Sequence, residues 1–259
     1  MIEKETKERY IEEFCRMYKS KDVDVAAART FFEDPLYYAA MMTREGKVDG
    51  LVAGAAHTTA DMVRAAIRCI GMDERFMLIS SCFIMAVPGC SFGAEGTFIF
   101  ADCGVIPDPN ARQLACIAVC AAELAAKVLD LKPRVAFLSY STKGSAKTKS
   151  ADKINEALGM LKEMAPDMLA DGELQVDAAI VPEVAKIKYP QSPVGGQANV
   201  LIFPNLEAGN IGYKLTQRLS NARALGPLLL GAKRPASDLS RGCFVEDVVD
   251  CAAVTAIRA

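Results

Sequence analysis

The chain has 259 residues but no tryptophan, a single histidine (His57) and no Cys-x-x-Cys pair among its nine cysteines. A zinc site of cysteine and histidine ligands is therefore not expected. The odd number of cysteines, scattered through apolar segments, indicates reduced, buried thiols. The charged opening residues lack the apolar core of a signal peptide, and no run approaches the ~20 apolar residues that cross a bilayer. We expect a soluble, cytoplasmic protein with no membrane partner.

The net charge is also small, at −2. This balance argues against a nucleic-acid partner, because such proteins normally carry a basic excess. Half of the residues are hydrophobic (51%) and 24% are charged, which is typical of a globular protein with ample material for a core. The length suffices for two ordinary domains or one large one. An anionic ligand would have to be bound by local arginines and amides rather than by overall charge.

Helical and strand patterns alternate along the chain, which predicts an α/β fold with a largely parallel sheet. Thr58 or Thr59 is expected to cap a helix that ends near Gly71, with Asp61 completing a capping box. Asp108 and Pro109 are typical of the N-cap and first residue of the next long helix. Strands are predicted over residues 48–54, 76–87, 97–101, 135–139, 178–181 and 199–203, and helices over 5–18, 150–163, 208–218 and from about 244 onward.

The segment 238–250 concentrates groups that are useful in chemistry. Ser240 offers a hydroxyl, Arg241 a guanidinium and Gly242 a flexible backbone, and Asp247 follows in the first turn of the predicted C-terminal helix. Arginine binds phosphate bidentately, and a helix N-terminus favours an anion or a carboxylate. A plain helix cap uses the same residue types. The segment alone therefore leaves a catalytic and a structural interpretation open.

Two other places offer donors for an anion. A loop between a predicted strand and helix carries hydroxyls, an ammonium group and a glycine, which suit a phosphate although the loop is not a Walker A motif. This loop consists of Ser141, Thr142, Lys143, Gly144 and Ser145. Arg64 lies less than two turns from a helix start, where it either adds to an anion site or stays a surface arginine.

A series of blocks, in the same order along the chain, resembles the phosphate acetyltransferase (phosphotransacetylase) family, within the wider phosphate acetyl/butyryltransferases. Examples are H-T-T-A-D-M-V-R at 57–64, L-S-Y-S-T-K-G-S at 138–145 and D-L-S-R-G-C at 238–243. The other blocks span residues 34–42, 101–109, 171–174, 177–185 and 198–214. Together they cover nearly the whole chain, which is identified as a member of this family.

The resemblance implies the reaction acetyl-CoA + phosphate = CoA + acetyl phosphate, a step of acetate metabolism. CoA is then a substrate, and neither a tightly bound cofactor nor a metal is expected. The protein is expected to be a homodimer. Direct attack in a ternary complex needs a base for the thiol, donors for the oxyanion and cations for phosphate. The resemblance selects Asp247 over Glu246 as base. Ser240 is expected to donate a hydrogen bond to the oxyanion or to the substrate carbonyl. The resemblance also implies that Arg241 and Arg64 hold the phosphate charge.

Further substrate contacts follow from the same resemblance. They are His57, Thr58, Thr59, the 141–145 loop, Asn210 and Lys214. Arg16 joins them because 15–20 keeps the arginine and lysine of the family's L-R-x-x-K-G segment, with Cys and Ser in place of Leu and Gly. Three alternatives stay open: a phosphate butyryltransferase with a roomier acyl pocket, a non-catalytic domain that senses acetyl-CoA, and a truncated remnant.

The resemblance also implies a domain organisation. Two α/β/α sandwich domains with largely parallel sheets are expected, a discontinuous first domain over 1–77 plus 229–259 and an inserted second domain over 78–228. The active site is expected in the cleft between them, with Arg64 and the 240–247 segment facing the 141–145 loop. Family members usually carry a segment ahead of the residue that is Met1 here, so the first domain is expected to be N-terminally truncated.

Overall fold

The computed structural model describes residues 4–18 and 24–259. Its helices are α1 (Lys4–Met17), α2 (Val25–Phe31), α3 (Pro35–Arg44), α4 (Thr59–Ala65), α5 (Phe92–Glu95), α6 (Ala111–Leu129), α7 (Lys149–Met164), α8 (Val176–Ile180), α9 (Pro182–Lys188), α10 (Leu206–Leu219) and α11 (Val245–Arg258). Its strands are β1 (Leu51–Ala53), β2 (Ser80–Ala86), β3 (Thr97–Ala101), β4 (Arg134–Leu138), β5 (Leu169–Leu174), β6 (Val200–Ile202), β7 (Arg223–Leu230) and β8 (Ala236–Asp238). None of the helices in these ranges has the length and apolar character needed to span a bilayer.

The eight strands form one sheet in the order β1-β8-β7-β2-β3-β6-β4-β5. Four neighbouring pairs are parallel and lie towards the two edges (β1–β8, β3–β6, β6–β4 and β4–β5). The three pairs around β7 and β2 are antiparallel. The predicted α/β fold is confirmed, with a mixed sheet that is parallel in four of its seven pairings.

The sheet is continuous across the predicted domain boundary. Strand β7 pairs with β2 along most of its length, and at its end Leu228 and Leu229 pair with Ser237 and Ala236 of β8. One long strand thus joins the strands of both predicted domains, instead of each domain having a separate sheet. The division into residues 1–77 plus 229–259 and 78–228 stays a prediction.

Helices cover both faces of this sheet, as the burial of β3 shows. Ile99 and Ala101 belong to a core that includes α6, α7 and Val254 of α11. Phe98 and Phe100 belong to a second core on the opposite face, because successive strand residues point to opposite sides. A third core gathers the buried side chains of α1 to α4 against β1.

The predicted cap of α4 is confirmed. The Thr58 hydroxyl accepts a hydrogen bond from the Asp61 amide at 3.2 Å, and the Asp61 carboxylate accepts one from the Thr58 amide at 3.0 Å. The helix continues as a π-helical turn over Ala66–Ile70 and stops at Gly71, whose φ is +91°. Glycine suits this position because other residues rarely adopt positive φ.

Two local predictions are wrong. The cap of α6 is not Asp108 followed by Pro109 but Asn110, whose side chain and that of Gln113 accept reciprocal hydrogen bonds at 2.9 Å. Residues 178–181 are not a strand, since α8 occupies Val176–Ile180 and the strand lies earlier, in β5. Short apolar runs fit either a buried strand or a buried helix, so their pattern does not separate the two.

Candidate active site

A cavity of about 620 Å³ opens between α10 and the loop that joins β8 to α11. This volume is in the usual range for small-molecule sites. Seven residues predicted from the sequence line it: His57, Thr59, Asn210, Lys214, Ser240, Arg241 and Asp247. Because α10 lies in the predicted second domain and the β8–α11 loop in the first, the cavity unites residues of both.

The β8–α11 loop, residues 239–244, has a defined backbone. Its first amide, that of Leu239, donates to the Ala53 carbonyl at 2.7 Å, which continues the pairing of β8 with β1. The Ser240 carbonyl then accepts from the Cys243 amide at 3.0 Å, and the Ser240 hydroxyl accepts from the Gly242 amide at 3.2 Å. This tight turn leaves Ser240 and Arg241 exposed at the cavity.

Asp247 caps α11 from within its first turn. One carboxylate oxygen, Oδ2, accepts a hydrogen bond from the Phe244 amide at 2.8 Å. Its other oxygen accepts no hydrogen bond from the part of the chain that the structure describes. The cap therefore fixes the orientation of the carboxylate and leaves Oδ1 available to a ligand in the cavity.

Three cations line the cavity: Lys214, Arg218 and Arg241. None of them forms an ion pair within residues 4–18 and 24–259. Lys214 and Arg218 are four residues apart on α10 and so share one helix face. Arg218 was not predicted as a site residue from the sequence, although its spacing of four residues from Lys214 could have indicated it. Unpaired cations around a cavity favour an anionic ligand.

Asp238, at the end of β8, is a buried acid in the cavity lining that was not predicted as a site residue. Its Oδ2 accepts a hydrogen bond from the Thr59 hydroxyl at 2.6 Å, while its buried Oδ1 has no partner among the described residues. Burial raises the pKa of Asp238 to about 6, against the lowering effect of the Thr59 hydrogen bond. A Cβ at Gly54 would lie 2.1 Å from Oδ1, so only glycine leaves room for this carboxyl group.

The Asp238→Asn variant tests this burial through the pH dependence of stability. The unfolded carboxyl titrates near pH 4 and the folded one near pH 6, so the native parent binds more protons in between and loses stability as the pH rises through this window. The amide does not titrate. In urea unfolding, the free energy of unfolding of the variant, taken relative to that of the parent, should increase by about 2–3 kcal/mol between about pH 4 and about pH 7. If the difference in free energy of unfolding between variant and parent is the same at both pH values, the raised pKa of Asp238 is contradicted.

His57 is oriented by a second acid. Its Nε2 lies 3.1 Å from Oδ1 of Asp34, the residue that caps α3. The same Asp34 oxygen accepts a hydrogen bond from the Leu36 amide at 2.8 Å, which fixes the carboxylate. This pairing makes His57 a positioned side chain at the cavity wall rather than a base held against Ser240.

Arg64 and Thr58 do not line the cavity. Arg64 forms an ion pair with Asp61 and keeps 54% of its side chain exposed. Hydrogen bonds from Thr58, and then from Arg64, lower the pKa of Asp61 to about 2. The present structure therefore uses Thr58 and Arg64 to stabilise the start of α4.

Arg16 is also outside the cavity lining. It lies in the last turn of α1, 3.8 Å from Glu13, with 73% of its side chain exposed. The lysine and serine of its motif, at positions 19 and 20, lie outside the described residues.

The loop Ser141–Ser145 lies at the other end of the sheet, between β4 and α7, and its donors already have partners. The Ser141 hydroxyl and the Gly144 amide each donate to Oε1 of Glu173 at 2.8 Å. Lys143 forms an ion pair with the buried Asp171. Burial acts to raise the pKa of Glu173, but the hydrogen bonds from Gly144, Ser141 and Asn155 together lower it. The carboxylates of Asp171 and Glu173 thus bind the loop donors for which the sequence predicted a phosphate.

Within the described ranges, no group of three or more His, Cys, Asp or Glu side chains could hold a metal ion. The cavity has its own polar groups, which are the residues named above. It combines an oriented carboxylate, a hydroxyl, unpaired cations and apolar side chains such as Phe83 and Pro227. Such a set can accept a proton, donate to a carbonyl oxygen and hold anionic groups.

The chain is similar to known transferases along nearly its whole length. The family model of the phosphate acetyl/butaryl transferases matches residues 1–256. The chain is 49% identical to a phosphate acetyltransferase from Thermoanaerobacterium thermosaccharolyticum and 50% identical to one from Acetivibrio thermocellus. These alignments cover all of this chain and 79% and 78% of the respective relatives.

Solved structures show the same likeness. A phosphotransacetylase from Streptococcus pyogenes is 42% identical with a TM-score of 0.88, over 98% of this chain and 74% of that one. The EutD phosphotransacetylase from Staphylococcus aureus is 41% identical with a TM-score of 0.84, over 96% and 74% of the two chains. This chain belongs to the phosphate acetyl/butaryl transferase family.

Proposed function

We propose that this chain is a phosphate acetyltransferase, which moves an acetyl group between CoA and inorganic phosphate. The observation that carries the proposal is the cavity, where the free oxygen of Asp247 and the hydroxyl of Ser240 share one space with three unpaired cations. Both substrates are anionic, so cations in the cavity can bind the phosphate groups of CoA and the phosphate that exchanges with it. The names of the relatives support the same reaction.

The chemistry is a direct acyl transfer. In the direction of acetyl-CoA, Asp247 takes the thiol proton of CoA, and the thiolate attacks the carbonyl carbon of acetyl phosphate. The Ser240 hydroxyl accepts from the Gly242 amide, so its own hydrogen is free to donate to the oxyanion of the tetrahedral intermediate. Arg241 offsets the charge of the departing phosphate as the carbon–oxygen bond breaks.

Ser240 acts as a donor and not as an acylated nucleophile. A nucleophilic serine needs an adjacent base in hydrogen-bond reach. The single histidine of the chain instead directs Nε2 to Asp34. Direct attack with both substrates bound therefore fits this site better than an acyl-enzyme intermediate.

Lys214 and Arg218 are suited to the phosphate groups of CoA, because they lie on the same face of α10 at the cavity. His57, Thr59 and Asn210 complete the proposed substrate contacts in the lining. Contacts from Arg64, Thr58, Arg16 and the 141–145 loop stay proposals. For Arg64 and the loop, the present pairing with Asp61 and with Asp171 and Glu173 would have to open when substrate binds.

We also propose that the protein is cytoplasmic and forms a homodimer. All nine cysteines are free thiols, which supports a reducing, cytoplasmic setting. Ile211, Leu215 and Leu219 form one face of α10 and are 59%, 53% and 81% exposed, which supports a homodimer with apolar contacts in the predicted second domain. Light scattering of the purified protein tests the dimer.

The activity test uses the purified chain with acetyl phosphate and CoA. We expect acetyl-CoA to form, as read from thioester absorbance, and we expect the reverse reaction with acetyl-CoA and phosphate. Binding of CoA with no turnover in either direction would contradict the proposal and favour an acetyl-CoA-sensing domain. Butyryl phosphate as the better substrate would instead indicate a phosphate butyryltransferase.

A further inference from the structure

The geometry points to an acyl pocket at the inner end of the cavity: we infer that the stacked rings of Phe83 and Tyr213 close this end and restrict the transferred group to acetyl. The inference rests on the proposed function, because it names which acyl groups the same site accepts. It assigns a specificity role to two residues that take no part in the proton or phosphate chemistry.

The two rings form a wall of the cavity. Phe83 comes from β2 and Tyr213 from α10, and both line the space. Their ring centroids are 4.1 Å apart and their planes differ by 17°, so the rings are stacked. Stacked aromatic rings cover a large apolar area and attract each other beyond that burial. Apart from the Tyr213 hydroxyl, this ring pair is apolar.

This apolar part lies deeper in the protein than the exposed residues of the β8–α11 loop. Phe83 is 5% exposed and Cys103, in the same core, is fully buried, whereas Ser240 and Arg241 are exposed. Burial holds the pKa of the Cys103 thiol well above its ordinary value, so the thiol stays neutral. Together with Pro227, these side chains give the inner end an apolar lining that suits a methyl group and not a phosphate.

Phe83 packs against an irregular stretch of the neighbouring strand β7. Cys82 pairs with Leu228 and Ile84 with Leu225, so Phe83 alone faces two residues of β7, Gly226 and Pro227. This is a β-bulge, a feature that re-aims side chains beside functional sites. A Cβ at Gly226, whose φ is +142°, would lie 3.1 Å from the Phe83 ring, so the β7 backbone packs directly against it.

The helix that carries Tyr213 is held equally firmly. Asn210 donates to the Cys103 carbonyl at 3.0 Å. A Cβ at Gly209 would lie 2.1 Å from the Asp102 carbonyl oxygen, so α10 touches the backbone of the 102–104 turn. Asp102 in turn accepts hydrogen bonds from the Gly104 and Ile106 amides at 2.9 Å. Both halves of the wall are therefore fixed, and a longer acyl chain meets a rigid surface.

Removing the Tyr213 ring should make room for additional methylene groups. One methylene in an apolar enzyme pocket typically changes discrimination by roughly 10–200-fold. In Tyr213→Ala we expect the ratio of kcat/KM for butyryl phosphate to that for acetyl phosphate to rise at least about tenfold. Tyr213→Phe keeps the ring and should keep the ratio of the parent.

Tyr38→Ala is the matched control. Tyr38 is partly buried, and its ring packs on Tyr10 with centroids 5.1 Å apart, but it does not line the cavity. This variant should lower the melting temperature without changing the ratio. If Tyr213→Ala does not fold, Tyr213→Leu, which also lacks the ring, should show the same rise.

The outcomes separate the inference from the proposed function. A parent that transfers acetyl, with Tyr213→Ala or Tyr213→Leu keeping the parental ratio, overturns the acyl pocket alone. An equal rise in Tyr38→Ala overturns it as well, because the effect would then be a general loosening. A parent with no activity on any acyl phosphate overturns both the function and the pocket.

Discussion

Asp247→Asn is expected to fold like the parent and to lose a factor of ~10²–10⁴ in kcat, the usual effect of removing a general base. The amide oxygen can still accept the hydrogen bond from the Phe244 amide, so the cap of α11 is preserved. The variant loses only the capacity to take the thiol proton from CoA. Steady-state kinetics in both directions, with a melting curve for each protein, measure the effect.

Glu246→Gln is the control for this experiment. Glu246 is the preceding residue in the same helical turn, but it is exposed and does not line the cavity. Its kcat should stay close to that of the parent. A fully active Asp247→Asn, or an equal loss in both variants, would remove Asp247 from the mechanism.

The second large effect is expected from Arg241→Gln. Removing one group that stabilises developing charge typically costs ~10²–10³ in rate, and we expect this loss in kcat/KM for acetyl phosphate. The melting temperature should change little, since Arg241 is exposed and forms no ion pair with any described residue. The kcat/KM of Arg241→Lys should lie between those of the parent and of Arg241→Gln, because lysine keeps the charge but not the bidentate geometry.

Arg112→Gln controls for the loss of a positive charge. Arg112 is exposed on α6 and is not part of the cavity lining. Its kinetics should match those of the parent. If Arg241→Gln also matches the parent while its melting temperature falls, Arg241 is structural and the phosphate must bind elsewhere.

The residues that act through local chemistry could be predicted from the sequence. Ser240, Arg241 and Asp247 lie within eight residues of one another, and a single turn and helix start place them at one cavity. The burial of Asp238 and the stacking of Phe83 on Tyr213 could not be predicted in this way. They depend on how α10, β2 and β8 pack, which no local pattern contains.

The 141–145 loop shows a different kind of failure. Its donors suit an anion, and the sequence predicted a phosphate. The structure supplies Asp171 and Glu173 from β5, the neighbour of β4 in the sheet. Because the sequence placed a strand at 178–181 instead of at β5, these two acids were not expected beside the loop. A misplaced strand thus concealed the partners of the loop.

The most direct test of the proposed site is a crystal structure of the protein with CoA and phosphate. We predict CoA in the cavity, with its thiol sulfur at roughly 3–3.5 Å from Asp247, a distance suited to reaction. Its phosphate groups should lie at Lys214 and Arg218, and inorganic phosphate at Arg241. CoA bound at the 141–145 loop, with the cavity beside Asp247 empty, would contradict the proposed active site.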